Sequence, residues 1–501
     1  MNVAMVIEMA ADMYGDREAI AGDGAATYGE LRERVTRRAA GLAAAAERAG
    51  AQHVAYLGLS GTSFVEHLLA AAWAGLPFMP LNYRSKPEEL APLLDAFHPV
   101  VFVHEARYAE KAQACAGASD VLLTPEETLA AAGGGGYDSD PDAVAVVLHT
   151  SGTTSKPKAV LLRHKHLCSY IFGVVDFASS DAAETAIVTT PPYHIAGIMG
   201  VLTPLYGGRR MVFLPQFDAH TWLQTAIEHR ATHAFVVPTM LARIVETLET
   251  EPTLLPPALR HIAYGGGPIH LALVERALEL LPDVNFVNAY GLTETSSTVA
   301  LLGPEDHREA IASPDPAIRA RLGSVGRPLP GIEIQIVDEE GAQLPAGEVG
   351  TITIAGPQVS AQYAAGGDGP VGAFTTGDLG YLDEGGYLFI GGRSDDVIIR
   401  GGENISPGEI EDAFARHPDV RSVAVVGIAD EEWGQRVVAF VEPRNDPHAS
   451  SDELRTWARA EGTLAGFKIP ESFVFVDELP RTDTGKVLRR RLRDAYASEP
   501  A

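Results

Sequence analysis

Cysteine is scarce in this chain. It has two, Cys115 and Cys168, among 501 residues and in no C-x-x-C spacing. That argues against a disulfide framework or a cysteine-built zinc site and suits a reducing compartment. Excess positive charge is also lacking: a net charge of -27 argues against nucleic acid or an anionic membrane as the main partner. The one basic stretch, Lys486 to Arg493, reads as a solvated helix face. The longest apolar run, Leu68 to Leu81, is too short and too broken by glycine and proline to span a bilayer. Met1 to Gly15 carries Glu8 and Asp12 and has no basic stretch leading into an apolar one, so no signal peptide is expected. A cytoplasmic protein without membrane insertion, monomeric or homodimeric, is the expectation.

What is present suits a packed enzyme-sized chain. Hydrophobic content is 46%, and the length implies more than one domain. The region from Thr27 to Val103 shows a helical pattern over Leu31–Ala46 and a strand at His53–Leu57. A glycine run, Gly133–Gly136, then divides it from what reads as the first strand of a new layer, Ala143–Leu148. Onward from there, short apolar runs alternate with amphipathic stretches, the pattern of βαβ units. Strands are expected at 186–190, 211–214, 234–237 and 285–288, with helices at 221–229 and 271–281 between them. Beyond Pro330 the residues alternate apolar and polar over Ile332–Ile336 and Gly350–Ile354, as in an antiparallel β region. After Asp395 come a capped helix at 407–417, strands at 422–426, 437–441 and 472–476, and a helix at 452–459. The predicted fold is α/β. A large N-terminal domain of layered sheets and helices with a β subdomain covers residues 1–394, and a small mobile α+β domain covers residues 395–501.

The densest chemistry lies in Thr150-Ser151-Gly152-Thr153-Thr154-Ser155-Lys156-Pro157-Lys158, directly after an apolar strand. Hydroxyls and successive N–H groups there can wrap a chain of phosphates, with lysine charge to match. Such clusters also mark ordinary turns, and the spaced Walker A pattern is absent. Other segments accompany it in order: Pro191-Pro192-Tyr193-His194-Ile195-Ala196-Gly197, Tyr264-Gly265-Gly266-Gly267-Pro268, Asn288-Ala289-Tyr290-Gly291-Leu292-Thr293-Glu294-Thr295 and Thr376-Gly377-Asp378-Leu379-Gly380. Then come Gly392-Arg393-Ser394-Asp395-Asp396, Arg400-Gly401-Gly402-Glu403-Asn404 and Pro480-Arg481-Thr482-Asp483-Thr484-Gly485-Lys486. Over nearly its whole length the chain resembles the acyl- and aryl-CoA synthetases of the adenylate-forming superfamily.

The resemblance implies ATP, Mg²⁺ and CoA, and activation of a small carboxylic acid as an acyl-adenylate before transfer to the CoA thiol. Thr150, Ser151, Gly152, Thr153, Thr154 and Lys158 would cradle the β- and γ-phosphates. Glu294 would hold Mg²⁺ and Thr293 would bond the α-phosphate; a surface glutamate in a turn is the plainer reading. Asp378 would accept both ribose hydroxyls, unless it only closes an Asx-turn. Arg393 would add a ribose or phosphate contact. Gly265, Gly266 and Gly267 would let backbone approach the adenine, a flexible turn being the alternative. Asn288, Tyr290 and Gly291 complete that nucleotide and acid pocket. Lys486 would bridge carboxylate and α-phosphate, although it also begins a basic helix. Asp395 matches the hinge about which the small domain would turn, bringing Gly402 to the thiol channel. His194, behind Tyr193, resembles the gate between acyl pocket and channel, where a structural histidine is the alternative. Arg84 and Trp433 match CoA-facing positions, and packing between domains competes for Trp433.

The chain also departs from the family. Ser155 and Ala159 stand where glycines are usual, and an aromatic and a cation are missing before Thr376. These departures suggest a specialised member. Glycines at 265, 266 and 291 suggest room for a flat ring or extended chain, and no cation is evident to pair a second carboxylate. A medium-chain or aromatic monocarboxylic acid is therefore expected. Two other outcomes stay open. One is an adenylating enzyme with another nucleophile, loading a carrier protein or activating nitrite for arylamine diazotisation. The other is a non-catalytic nucleotide-binding protein.

Overall fold

The computed structural model describes residues 1–130, 132–133, 136–137, 140–150, 157–365, 372–430, 433–462, 464–482 and 485–498. Two large sheets carry the N-terminal part. One has six strands in the order Val121–Leu123, Val100–His104, His53–Leu57, Phe78–Pro80, Val144–Thr150, Lys158–Arg163. The other has nine, with a parallel centre running from Glu18–Ala21 through Arg210–Phe213, Thr185–Val188, His233–Val236 and His261–Gly265 to Asn285–Leu292. One core joins them. It contains Val54 and Leu148 of the first sheet, Ile20 and Met211 of the second, and Leu167, Ile198 and Leu202 from helices between.

Sequence patterning accounts for many of these elements. Helix Tyr28–Ala49 opens on a capping box, in which Thr27 and Glu30 each bond the other's backbone N–H, and closes at Gly50 with φ 65°. The apolar run at 68–81 is the buried helix Thr62–Trp73 followed by strand Phe78–Pro80. Among the described residues, no helix is long and apolar enough to cross a membrane.

Three expectations need correction. The glycine run does not divide two layers, because Phe78 pairs with Val146 and the strand after the run joins the sheet before it. Nor does a βαβ unit begin there. Val144–Thr150 and Lys158–Arg163 are antiparallel, Thr150 facing Lys158, since so short a connection cannot make a crossover. The helix expected at 407–417 ends at Phe414, and its Ser406 hydroxyl does not cap it. That hydroxyl donates instead to the Gly391 carbonyl at 2.6 Å.

A four-stranded antiparallel sheet, from Glu333–Val337 through Gly350–Ala355 and Phe374–Leu382 to Leu388–Arg393, follows the nine-stranded one. The C-terminal part then builds its own core around Val420–Asp430, Gly434–Pro443 and Ser472–Phe475. A buried ion pair staples it. The Arg489 guanidinium donates to both Glu411 oxygens at 2.7 Å, and Glu411 also accepts the Val425 N–H at 2.7 Å. Removing one partner of a buried pair strands the other. Glu411→Ala is therefore expected to lower stability by about 3 kcal/mol in urea denaturation. A loss below about 1 kcal/mol, the value of an exposed pair, would contradict this.

Candidate nucleotide and acid site

The last strand of the four-stranded sheet places Arg393 opposite Asp378. The two pair at 2.7 Å, and the Tyr290 hydroxyl donates to the other Asp378 oxygen at 2.6 Å. Asp378 is 5% exposed, so its carboxylate is held in one position with a cation on one side and a phenol on the other. Burial, followed by the Asp378 charge, pushes the Tyr290 phenol well above its ordinary pKa, which keeps it a donor.

Lys486 arrives from the C-terminal domain. The Lys486 N–H donates to the Thr482 hydroxyl at 3.1 Å, and the Thr482 N–H donates to the Lys486 carbonyl at 2.7 Å. Arg481 secures the same turn, donating to the Gly485 carbonyl at 3.1 Å and to the Ser422 hydroxyl at 2.6 Å. Gly485 has φ +78°, and a Cβ there would stand 2.2 Å from the Thr239 hydroxyl oxygen of the large domain. Only glycine lets the turn seat that closely. Lys486 therefore does not begin the basic helix, which starts at Arg489. Its side chain is crowded by atoms of both domains yet keeps access to water through an open cleft. Burial, followed by the Arg393 cation, pushes its ammonium below the ordinary lysine pKa, with Asp378 and Asp396 opposing.

That cleft, about 920 Å³, is bordered by Thr189, Pro191, Thr239, Met240, Gly267 and Lys486. Arg84 borders it too. From there aromatic rings lead inward, Tyr83 lying 5.5 Å from Tyr193 and Tyr193 4.7 Å from His194, the residue before helix Ile195–Gly207. Arg243 also lines the cleft on helix Pro238–Thr250, a cation absent from the sequence reading. The glycines need revision as well. A Cβ at Gly265 would meet the Ala289 carbonyl oxygen at 2.1 Å, and one at Gly291 the Ser297 carbonyl oxygen at 1.8 Å. Those two positions accommodate neighbouring backbone rather than a ligand ring. Gly267 has open space at its missing side chain. Asn288 is buried and donates to the Ser324 carbonyl at 3.0 Å.

A second cluster surrounds Glu294. It lies in the turn Thr293–Thr295, and its carboxylate accepts the Tyr363 hydroxyl at 3.0 Å. The Lys158 ammonium lies 5.2 Å from the centre of the Tyr363 ring. One end of the Thr150–Lys158 run is thus brought to the expected metal ligand. Ser151, Gly152, Thr153 and Thr154 lie outside the described residues. Among the described residues no group of three His, Cys, Asp or Glu side chains could hold a metal. A cation at Glu294 would use that carboxylate, with substrate oxygens and water for the rest. Such a donor set suits Mg²⁺.

Other expected residues stay apart. Gly402 lies in the turn between strands Ile398–Arg400 and Glu403–Ile405 and is exposed. Trp433 is 46% exposed beside it, its carbonyl accepting the Gly401 N–H at 2.9 Å. Neither borders the cleft. Asp395 is exposed in the short helix Ser394–Asp396 that joins the two parts. Thr239 lies in residues 237–240, a segment expected to border the acid pocket, and it does border the cleft. Arg243 and Tyr363 were not expected from the sequence, because neither lies in one of the family's motifs.

Known proteins match this arrangement along its length. A family model described as AMP-binding enzyme covers residues 7–364, and one described as AMP-binding enzyme C-terminal domain covers residues 409–486. A fatty acid–[acyl-carrier-protein] ligase, ScoC, of Streptomyces coeruleorubidus is 33% identical over 95% of this chain and 92% of its own. A feruloyl-CoA synthase of an Amycolatopsis species is 34% identical over 95% of both. Among solved structures, the o-succinylbenzoate CoA synthetase MenE of Bacillus subtilis, in complex with its acyl-adenylate intermediate OSB-AMP, superposes with a TM-score of 0.85. It is 29% identical, over 98% of each chain.

Proposed function

The chain belongs to the AMP-binding enzymes of the adenylate-forming superfamily, and from that premise we propose that it activates a medium-chain or aromatic carboxylic acid with ATP and transfers the acyl group to CoA. The observation that carries the proposal is the seating of Gly485 against Thr239, which puts Lys486 of the small domain on the cleft bordered by Thr189, Pro191 and Gly267 of the large one. The substrate class follows the aromatic acid named for the feruloyl-CoA relative and the fatty acid named for the carrier-protein ligase. Because Arg243 borders the cleft, a second acidic group on the substrate would also find a partner there.

The chemistry sets the task. A carboxylate oxygen attacks the α-phosphorus of ATP, the bond to pyrophosphate breaks, and an acyl-adenylate forms. A thiolate sulfur then attacks the acyl carbon and AMP leaves. In the first step two anions must approach, and their repulsion is the main obstacle. The Lys486 ammonium, held by the Thr482 turn, offsets charge on both. Asp378 orients the ribose, and Gly267 admits backbone to the base. Thr293 stands beside the phosphates. Mg²⁺ at Glu294 would supply further positive charge to the phosphate oxygens. For the second step the small domain turns about Asp395, carrying Lys486 out and Gly402 and Trp433 toward Arg84. His194 gates the passage between acid and thiol.

A panel of medium-chain, aromatic and dicarboxylic acids tests this. At least one acid is expected to drive ATP–pyrophosphate exchange, and CoA is expected to raise AMP release with that acid. No acid-stimulated exchange or AMP release would refute the proposal. A second reading, loading of a carrier protein, is favoured by the ScoC relative. Exchange with AMP release raised by an acyl carrier protein and not by CoA would select it.

A further inference from the structure

Tyr363 has no part in the chemistry above, yet it stands where the two phosphate-binding elements meet. Its hydroxyl donates to the Glu294 carboxylate at 3.0 Å, and its ring faces the Lys158 ammonium at 5.2 Å. Its segment is stitched to both sides. The Ser360 and Ala361 N–H groups donate to the Glu294 carbonyl at 2.9 and 3.0 Å. The Ala364 N–H donates to the Ala159 carbonyl at 2.9 Å, and the Leu161 N–H to the Gln362 carbonyl at 2.8 Å. Gln358 donates to the carbonyls of Thr295 and Thr298 at 3.0 and 2.6 Å. Residues 358–364 therefore brace the strand beginning at Lys158 against the turn carrying Glu294.

We propose that Tyr363 is a positioning residue for a divalent cation bound to a triphosphate. A glutamate in a solvent-reached turn has several rotamers. A phenol donating to one oxygen selects a single one and leaves remaining lone pairs to face a cation. The same ring limits where the Lys158 ammonium can sit, through its electron-rich face. One side chain thereby sets both the metal ligand and a phosphate cation. AMP lacks the β- and γ-phosphates and needs neither.

This rests on the ATP-binding reading of the site, and binding rather than turnover tests it. Calorimetric titration of Tyr363→Phe is expected to show Mg·ATP binding weakened about tenfold, the scale of one hydrogen bond to a charged group, with AMP binding within about twofold of wild type. Tyr363→Leu, which also removes the ring from Lys158, is expected to lose more Mg·ATP affinity and still keep AMP. In exchange assays the Tyr363→Phe enzyme is expected to need more Mg²⁺ for half-maximal rate. Equal weakening of AMP and Mg·ATP would mark Tyr363 as merely structural and overturn the assignment. Unchanged Mg·ATP binding in Tyr363→Phe would overturn it too, leaving the proposed function intact. A wild-type protein that bound neither nucleotide would overturn both.

Discussion

Lys486→Ala will abolish acid-dependent ATP–pyrophosphate exchange while a pre-formed acyl-adenylate is still converted with CoA. The expected loss in the first half-reaction is roughly 100- to 1,000-fold, the scale for removing one preorganised electrostatic group. Position argues for the split. Lys486 reaches the cleft only because Gly485 seats against Thr239, and a rotated small domain breaks that seat. The second half-reaction joins a neutral acyl carbon to a thiolate and gathers no charge between two anions, so it has less need of the lysine. Equal loss of both half-reactions would refute the assignment. The pH dependence offers a second check. Burial and Arg393 lower the Lys486 pKa, so its ammonium is lost at a lower pH than an exposed lysine's. In kcat/KM for ATP, the alkaline fall is expected below the ordinary lysine value of about 10.4 and to vanish in Lys486→Ala. Bound triphosphate favours the ammonium, so the same fall in kcat should lie at higher pH.

Asp378→Ala will behave differently, weakening AMP and ATP alike and slowing both half-reactions. Its carboxylate is the acceptor shared by Arg393 and Tyr290, and it is the group expected to take the ribose hydroxyls. Two hydrogen bonds to a charged acceptor are worth about 3–6 kcal/mol together, so nucleotide affinity should fall at least about a hundredfold. Folding stability should also fall, by about 1–3 kcal/mol. That is less than for a fully buried pair, because the Arg393 side chain keeps 28% of its exposure. Calorimetry with AMP and a urea titration measure the two effects. Intact AMP affinity would exclude the ribose role. Three variants then separate three functions: Lys486→Ala splits the half-reactions, Asp378→Ala spares neither, and Tyr363→Phe discriminates Mg·ATP from AMP.

Some of this was legible without coordinates. Strand His53–Leu57 has the expected bounds, and the four strands expected at 186–190, 211–214, 234–237 and 285–288 fall within a few residues of theirs, because a buried parallel strand must be a short apolar run. Their neighbour His261–Gly265 was not expected. The pairing of Val146 with Phe78 was not legible, because a strand carries no mark of which neighbour it will choose. Nor were the roles of Gly265 and Gly291. A glycine tells of a missing side chain, and only the facing carbonyls of Ala289 and Ser297 say what fills the space.

Residue order alone set the family resemblance, the fold class and the positions of Asp378, Glu294 and Lys486, since those depend on local spacing and side-chain chemistry. Packing decided the rest: that Gly485 seats against Thr239 and so brings Lys486 to the cleft, that Gly402 and Trp433 are exposed, and that Tyr363 joins Glu294 to Lys158. Each of those contacts links segments far apart in the chain. They exist because burying the apolar faces of the two large sheets and of the small domain brings distant polar segments together.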